Sequence, residues 1–172
     1  VPEHFDEKWQ RLPFEKRGWV NIGHQFEWAW LVSRAVELGL DARYVEQGRR
    51  LLDYGMRFGY DRAHGGIYTW CSYEGQVTGR HKGWWQQAEL LRALMHYGLR
   101  RGCDEFGGEF DQSLAFVKRA FLDDEHGGWY EAVEEDGSPM AEHTRKGSPA
   151  KVGYHVTAMH IEALRLAGEM ES

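Results

Sequence analysis

The chain has 172 residues, of which 42% are hydrophobic and 28% charged, and its formal net charge is −6 at pH 7. Mixed charges summing below zero leave no basic stripe for nucleic-acid phosphates, and no apolar run reaches the roughly 18 to 20 residues that span a bilayer, so neither partner is expected. The N-terminus, VPEHFDEKWQ, has no charged n-region or apolar h-region, and Cys71 and Cys103 have neither metal-ligand spacing nor the density of a disulfide scaffold. A soluble protein of the reducing cytoplasm is the expectation.

Apolar spacing predicts a first helix from His24 to Leu38, with Phe26, Trp30, Leu31, Val32, Ala35 and Val36 on a broad stripe and Gly39 as its stop. Asp41 is the expected N-cap of a second helix, from Ala42 to about Phe58, which Gly59 ends. A third is expected from about Trp84 to Leu99, a fourth from Glu105 or Gly108 to Phe121, and a fifth from about Tyr154 to Leu166. The stretch Asp61-Arg62-Ala63-His64-Gly65-Gly66-Ile67-Tyr68 returns as Asp123-Asp124-Glu125-His126-Gly127-Gly128-Trp129-Tyr130, and Gly75 maps onto Gly137 at the same offset. Each copy, 61–75 and 123–137, predicts a Gly-Gly turn opening a short β-hairpin with a glycine at its tip. Units of this kind bury their apolar faces only by stacking on one another. The expected fold is all-α with small hairpins: residues 1–172 form a single, incomplete segment of a closed α/α toroid.

The first, third and fifth helices begin with unusual residues: Gly23-His24-Gln25-Phe26-Glu27-Trp28, Lys82-Gly83-Trp84-Trp85-Gln86-Gln87-Ala88-Glu89 and Lys151-Val152-Gly153-Tyr154-His155. In an α/α toroid alternate helices are inner and point the same way, so these first turns should meet at one mouth. Free N–H groups and positive dipole ends gathered there favour an anion and lower a histidine's pKa. A neutral imidazole can then act as a base and a protonated one as an acid. The anion formed when a proton leaves the carbon beside a carbonyl suits such a mouth. Eight Trp, eight Tyr and eight Phe supply rings for stacking on sugar faces or for packing helices together. Structural roles are expected for His4, His81, His96, His143 and His160, and for His64 and His126 in the repeated turn. Lys82 and Lys151 read as solvated helix-entry charges, and Glu27 as a carboxylate that complements the dipole.

The string Gly23-His24-Gln25-Phe26-Glu27-Trp28-Ala29-Trp30-Leu31 resembles the G-H-x-x-E-W-x-x-L signature of the N-acylglucosamine 2-epimerase superfamily. Residues Lys82 to Glu89 look like its K-x-W-W-x-x-A-E helix start, and Lys151 to His155 like its closing K-x-x-Y/F-H. The resemblance implies an (α/α)6 toroid, with this chain supplying roughly its C-terminal half. It implies an isomerase of carbohydrate metabolism, either a sugar 2-epimerase or an aldose–ketose isomerase, working through a cis-enediol intermediate. His24 and His155 take the catalytic proton-transfer roles, and Glu27, Trp28, Trp84, Trp85, Glu89 and Tyr154 the sugar-binding ones. No metal and no cofactor is implied, and the partners are a small sugar and, as a candidate, a second copy of the chain in a homodimer. Thr157 stands where many epimerases carry an arginine two residues after the histidine, which resembles the isomerase branch. Two rivals remain: an inactive half-ring that binds sugar or another chain, and a glycoside hydrolase, which needs two pocket carboxylates.

Overall fold

The computed structural model describes residues 1–142, 145–149, 151 and 153–170. His143 and Val152 lie outside the described residues. Asn21 ends strand β1 (Trp19–Asn21) and caps α1 (Ile22–Glu37), its side chain accepting the Gly23 N–H at 3.0 Å. Asp41 caps as expected, but the turn it opens, Ala42–Tyr44, is 3-10, and α2 runs over Val45–Phe58. After strands β2 (Trp70–Ser72), β3 (Val77–Gly79) and β4 (Lys82–Gly83) comes α3, Trp84–Arg101, which Gly102 closes in the left-handed conformation. A 3-10 turn over Asp104–Phe106 leads into α4 (Gly107–Ala120), and β5 (Ala132–Val133) precedes α5 (Tyr154–Met170). The five helices are those read from apolar periodicity, with ends displaced by a few residues.

Helix α3 packs against both α1 and α5, while α2 covers α1 and α4 covers α3. The result is an inner layer of α1, α3 and α5 beneath an outer layer of α2 and α4. Two apolar clusters meet on α3, one built from Phe26, Leu52, Met56, Ile67 and Leu90, the other from Leu91, Phe116, Phe121, Val133 and Met159. Among the described residues no helix is long and apolar enough to cross a membrane.

The repeated turns fold alike. The Asp61 N–H donates to the Gly66 carbonyl at 2.9 Å and the Asp123 N–H to the Gly128 carbonyl at 3.1 Å. Each aspartate also accepts a backbone N–H two residues on, from Ala63 and from Glu125. Gly65, Gly66, Gly127 and Gly128 all have positive φ, which a side chain would strain. β2 and β3 form the first hairpin, and β1 joins it with Asn21 opposite Trp70; β4 pairs with β5, Lys82 opposite Val133. Thus the strand before each of α1 and α3 is fixed by the hairpin two helices later.

Lys82 is not a solvated charge. It is fully buried, its Nζ donating to Asp61 Oδ2 and to the Gly65 carbonyl, both at 2.7 Å, with the Phe116 ring 4.1 Å away. Burial pulls its pKa down while the bond to Asp61 opposes that, and the carboxyl of Asp61 is held below its ordinary range against the cost of its own burial. Lys151 is half-buried and donates to the Lys146 carbonyl at 2.7 Å. His96 is the satisfied core polar group expected of it, bonded through Nδ1 to Glu162 and through Nε2 to Ser33 Oγ, each at 2.8 Å. This joins α3 to α5 and α1.

Candidate active site

The first turns of the three inner helices do meet. The Trp85 ring lies 4.9 Å from the imidazole of His24 and 5.1 Å from that of His155, so one indole from α3 links the histidines of α1 and α5. Tyr154 adds an edge-on contact with His155 at 4.7 Å and is itself 53% exposed.

Each imidazole is held by a carboxylate at Nδ1. Glu89 Oε1 lies 2.7 Å from His155 Nδ1, and its other oxygen, Oε2, pairs with the guanidinium of Arg92. Arg92 is itself buried, its guanidinium carbon 4.0 Å from the Trp30 ring centroid. Glu3 Oε1 lies 2.7 Å from His24 Nδ1. An ionised carboxylate at Nδ1 places the hydrogen on that nitrogen in both rings and leaves the proton-accepting lone pair on Nε2.

The electrostatics depart from the dipole argument. Hydrogen bonding to Glu3 raises the pKa of His24 above its ordinary value, against burial, with further help from the charges of Glu3 and Glu27. Glu27 is also raised, first by burial and then by the Glu89 carboxylate, while His155 and His24 pull it back. Donor atoms of Glu27, Glu89 and His155 all lie within 4.8 Å of one another, as do those of Asp61, His64 and Glu135. Either group has the ligand types of a cation site, but both Glu89 oxygens are already committed to His155 and Arg92, and Asp61 to Lys82.

The expected sugar-binding residues separate on this geometry. Glu27, Trp85 and Tyr154 border the two histidines, and Trp28 stands 48% exposed one position beyond Glu27. Glu89 is fully buried beneath His155 and has no surface to offer a sugar, because a charge at that depth must be paired. Trp84 packs instead into the second apolar cluster, beside Trp129, Lys146 and Lys151. Glu3 and Arg92 carry no motif signal: the first lies far from His24 in sequence, and the second sits in an ordinary helical stretch. The i,i+3 spacing of Glu89 and Arg92 was the one available clue.

Helices in two layers, with two carboxylate-held imidazoles at the starts of the inner ones, define an arc of an α/α toroid with a candidate site at one mouth. Residues 1–158 match the N-acylglucosamine 2-epimerase (GlcNAc 2-epimerase) family, and the chain belongs to that family. It is 31% identical over 168 residues to a cellobiose 2-epimerase of Bacteroides fragilis, covering 93% of this chain and 40% of that one. It is 28% identical over 157 residues to a mannose-6-phosphate isomerase of Rhizobium meliloti, covering 90% of this chain and 40% of that one. The fold matches a crystal structure of D-mannose isomerase with a TM-score of 0.85 at 22% identity, over 96% of this chain and 44% of that one. It matches cellobiose 2-epimerase of Spirochaeta thermophila at 0.81 and 25% identity, over 100% of this chain and 42% of that one. These neighbours are (α/α)6 toroids, so the expected fold class holds, and the chain spans about two-fifths of the length of its relatives.

Proposed function

We infer that residues 1–172 are the arc of a toroidal sugar 2-epimerase or aldose–ketose isomerase that carries the proton-transfer pair, His24 and His155. The observation that carries this reading is the shared contact of both imidazoles with Trp85, each with Nδ1 fixed by a carboxylate. An open-chain aldose placed against the pair loses its C2 proton to a neutral Nε2, and the electron pair moves through C1 to the carbonyl oxygen, giving a cis-enediolate. Return of a proton to C2 from the opposite face inverts that carbon; return to C1, with the O2 proton moved to O1, gives the ketose. The relatives' names, cellobiose 2-epimerase and D-mannose isomerase, fit either branch. The site is proposed to work in the cytoplasm on a small sugar, with no cofactor.

The test is exchange of the C2 proton of cellobiose or mannose with D2O, followed by NMR. His24→Ala and His155→Ala are each expected to abolish exchange while the helical signal persists. Exchange that survives both substitutions overturns the assignment.

A second reading is favoured by a different observation: on α5, Tyr154, Ile161 and Leu164 are all exposed, an apolar stripe that no helix among the described residues covers. Here the chain binds sugar or pairs with a second copy without turnover, and a tight dimer on gel filtration with no C2 exchange identifies it. A glycoside hydrolase is disfavoured. Glu27 does have a neighbouring carboxylate, but Glu89 is buried and bonded to His155 and Arg92, and cannot act as nucleophile or base. The likeness to a GH76 α-mannanase, with a TM-score of 0.60 at 16% identity, is one of fold alone.

A further inference from the structure

Glu3 belongs to none of the motifs, yet one of its carboxylate oxygens makes two bonds that converge on the site. Oε1 accepts the backbone N–H of Asn21 at 3.1 Å and lies 2.7 Å from Nδ1 of His24. Asn21 is the N-cap of α1, so the oxygen that holds the imidazole is also anchored to the start of the helix that carries it. A carboxylate can only accept, so Nδ1 must carry the hydrogen and Nε2 must do the exchanging.

We propose that Glu3 is a positioning residue: its carboxylate fixes the tautomer and plane of the His24 imidazole and favours that ring's protonated form. The proposal rests on the reading of His24 as a proton-transfer group. His24 and His155 are not equivalent in their surroundings. The carboxylate behind His155 already has the Arg92 guanidinium as its counter-ion, whereas the one behind His24 is bonded to the imidazole and to the Asn21 N–H. Around His24, the Glu3 and Glu27 carboxylates favour the imidazolium, and burial opposes it. The Trp85 ring borders both imidazoles alike, at 4.9 and 5.1 Å. Around His155 stand Glu89, Glu27 and, through Glu89, Arg92.

The experiment compares Glu3→Gln and Glu3→Asp with the parent chain. Histidine nitrogens are followed by 15N–1H correlation across pH, and C2-proton exchange of mannose is followed in parallel. Glu3→Gln is expected to move the His24 titration midpoint to lower pH, leave that of His155 in place, and lower kcat by about 10- to 100-fold with KM little changed. Glu3→Asp should restore part of both effects, which a merely structural role for Glu3 would not do. A His24 midpoint that stays put in Glu3→Gln, or one that moves together with that of His155, overturns the proposal. If the parent chain shows no C2 exchange while the His24 midpoint shifts as stated, the hold of Glu3 on His24 stands and the sugar-isomerising reading fails.

Discussion

Trp85 is in ring contact with both His24 and His155, so its indole sets the spacing of the two imidazoles while each carboxylate sets a ring's orientation. Each such aromatic contact is worth about 0.5 to 1.5 kcal/mol, and 1.4 kcal/mol is a factor of ten in rate. Trp85→Ala is therefore expected to slow C2-proton exchange about tenfold or more with helix content unchanged, and Trp85→Phe to retain more; steady-state exchange rates check this. The meeting of His24, Trp85 and His155 was legible because each sits in a helix-start motif. Glu3 was not, because nothing local to the sequence says that the segment before β1 passes the first turn of α1. Glu89 read as a sugar-binding residue, whereas it lies buried against His155. Its depth beneath His155 depends on Arg92 taking its second oxygen, a fact of packing rather than of spacing.

The two repeated turns share a sequence and a backbone but not an environment. In the first, the Lys82–Asp61 pair is buried, whereas in the second the partner of Asp123 is Lys146, whose side chain is 31% exposed. Removing one member of a buried pair strands the other charge and costs about 3 to 5 kcal/mol, while water screens an exposed pair. Lys82→Met should lower the thermal midpoint strongly and Lys146→Met only slightly, as scanning calorimetry would measure. The difference extends to the glycines, since a Cβ on Gly66 would meet Gln87 Oε1 at 2.5 Å and one on Gly128 only Lys146 Cδ at 3.5 Å. The Asp and Gly-Gly spacing announced both turns. It did not announce that α3 and α4 close over the first and leave the second open, so Lys82 read as a surface charge.

Across the molecule, α5 is held mainly to α3, through the apolar Met159 and polar ties that include His155 to Glu89, His96 to Glu162 and Arg100 to Glu169. Burial opposes the ionisation of Glu162, but bonds from His96 and Arg165 outweigh it and hold the carboxyl well below the ordinary carboxylate range. A depressed carboxylate stabilises the fold fully above its unfolded pKa, about 4.3 for Glu, and that contribution is lost as pH falls through the folded value. Glu162→Gln should remove this acid-sensitive contribution and speed hydrogen exchange in α5 more than in α1 or α3. Equal acceleration in all three helices would show that α5 does not open as its own unit. The sequence by itself determined the five helices, the two hairpins and the residues at the inner helix starts, because apolar period, glycine turns and N-terminal motifs are local signals. Only the tertiary structure decided that Glu3 holds His24, that Arg92 frees Glu89 to hold His155, and that Lys82 is buried. Each of these joins residues far apart in the chain or depends on which face is covered, and burial and long-range pairing leave no mark in local spacing.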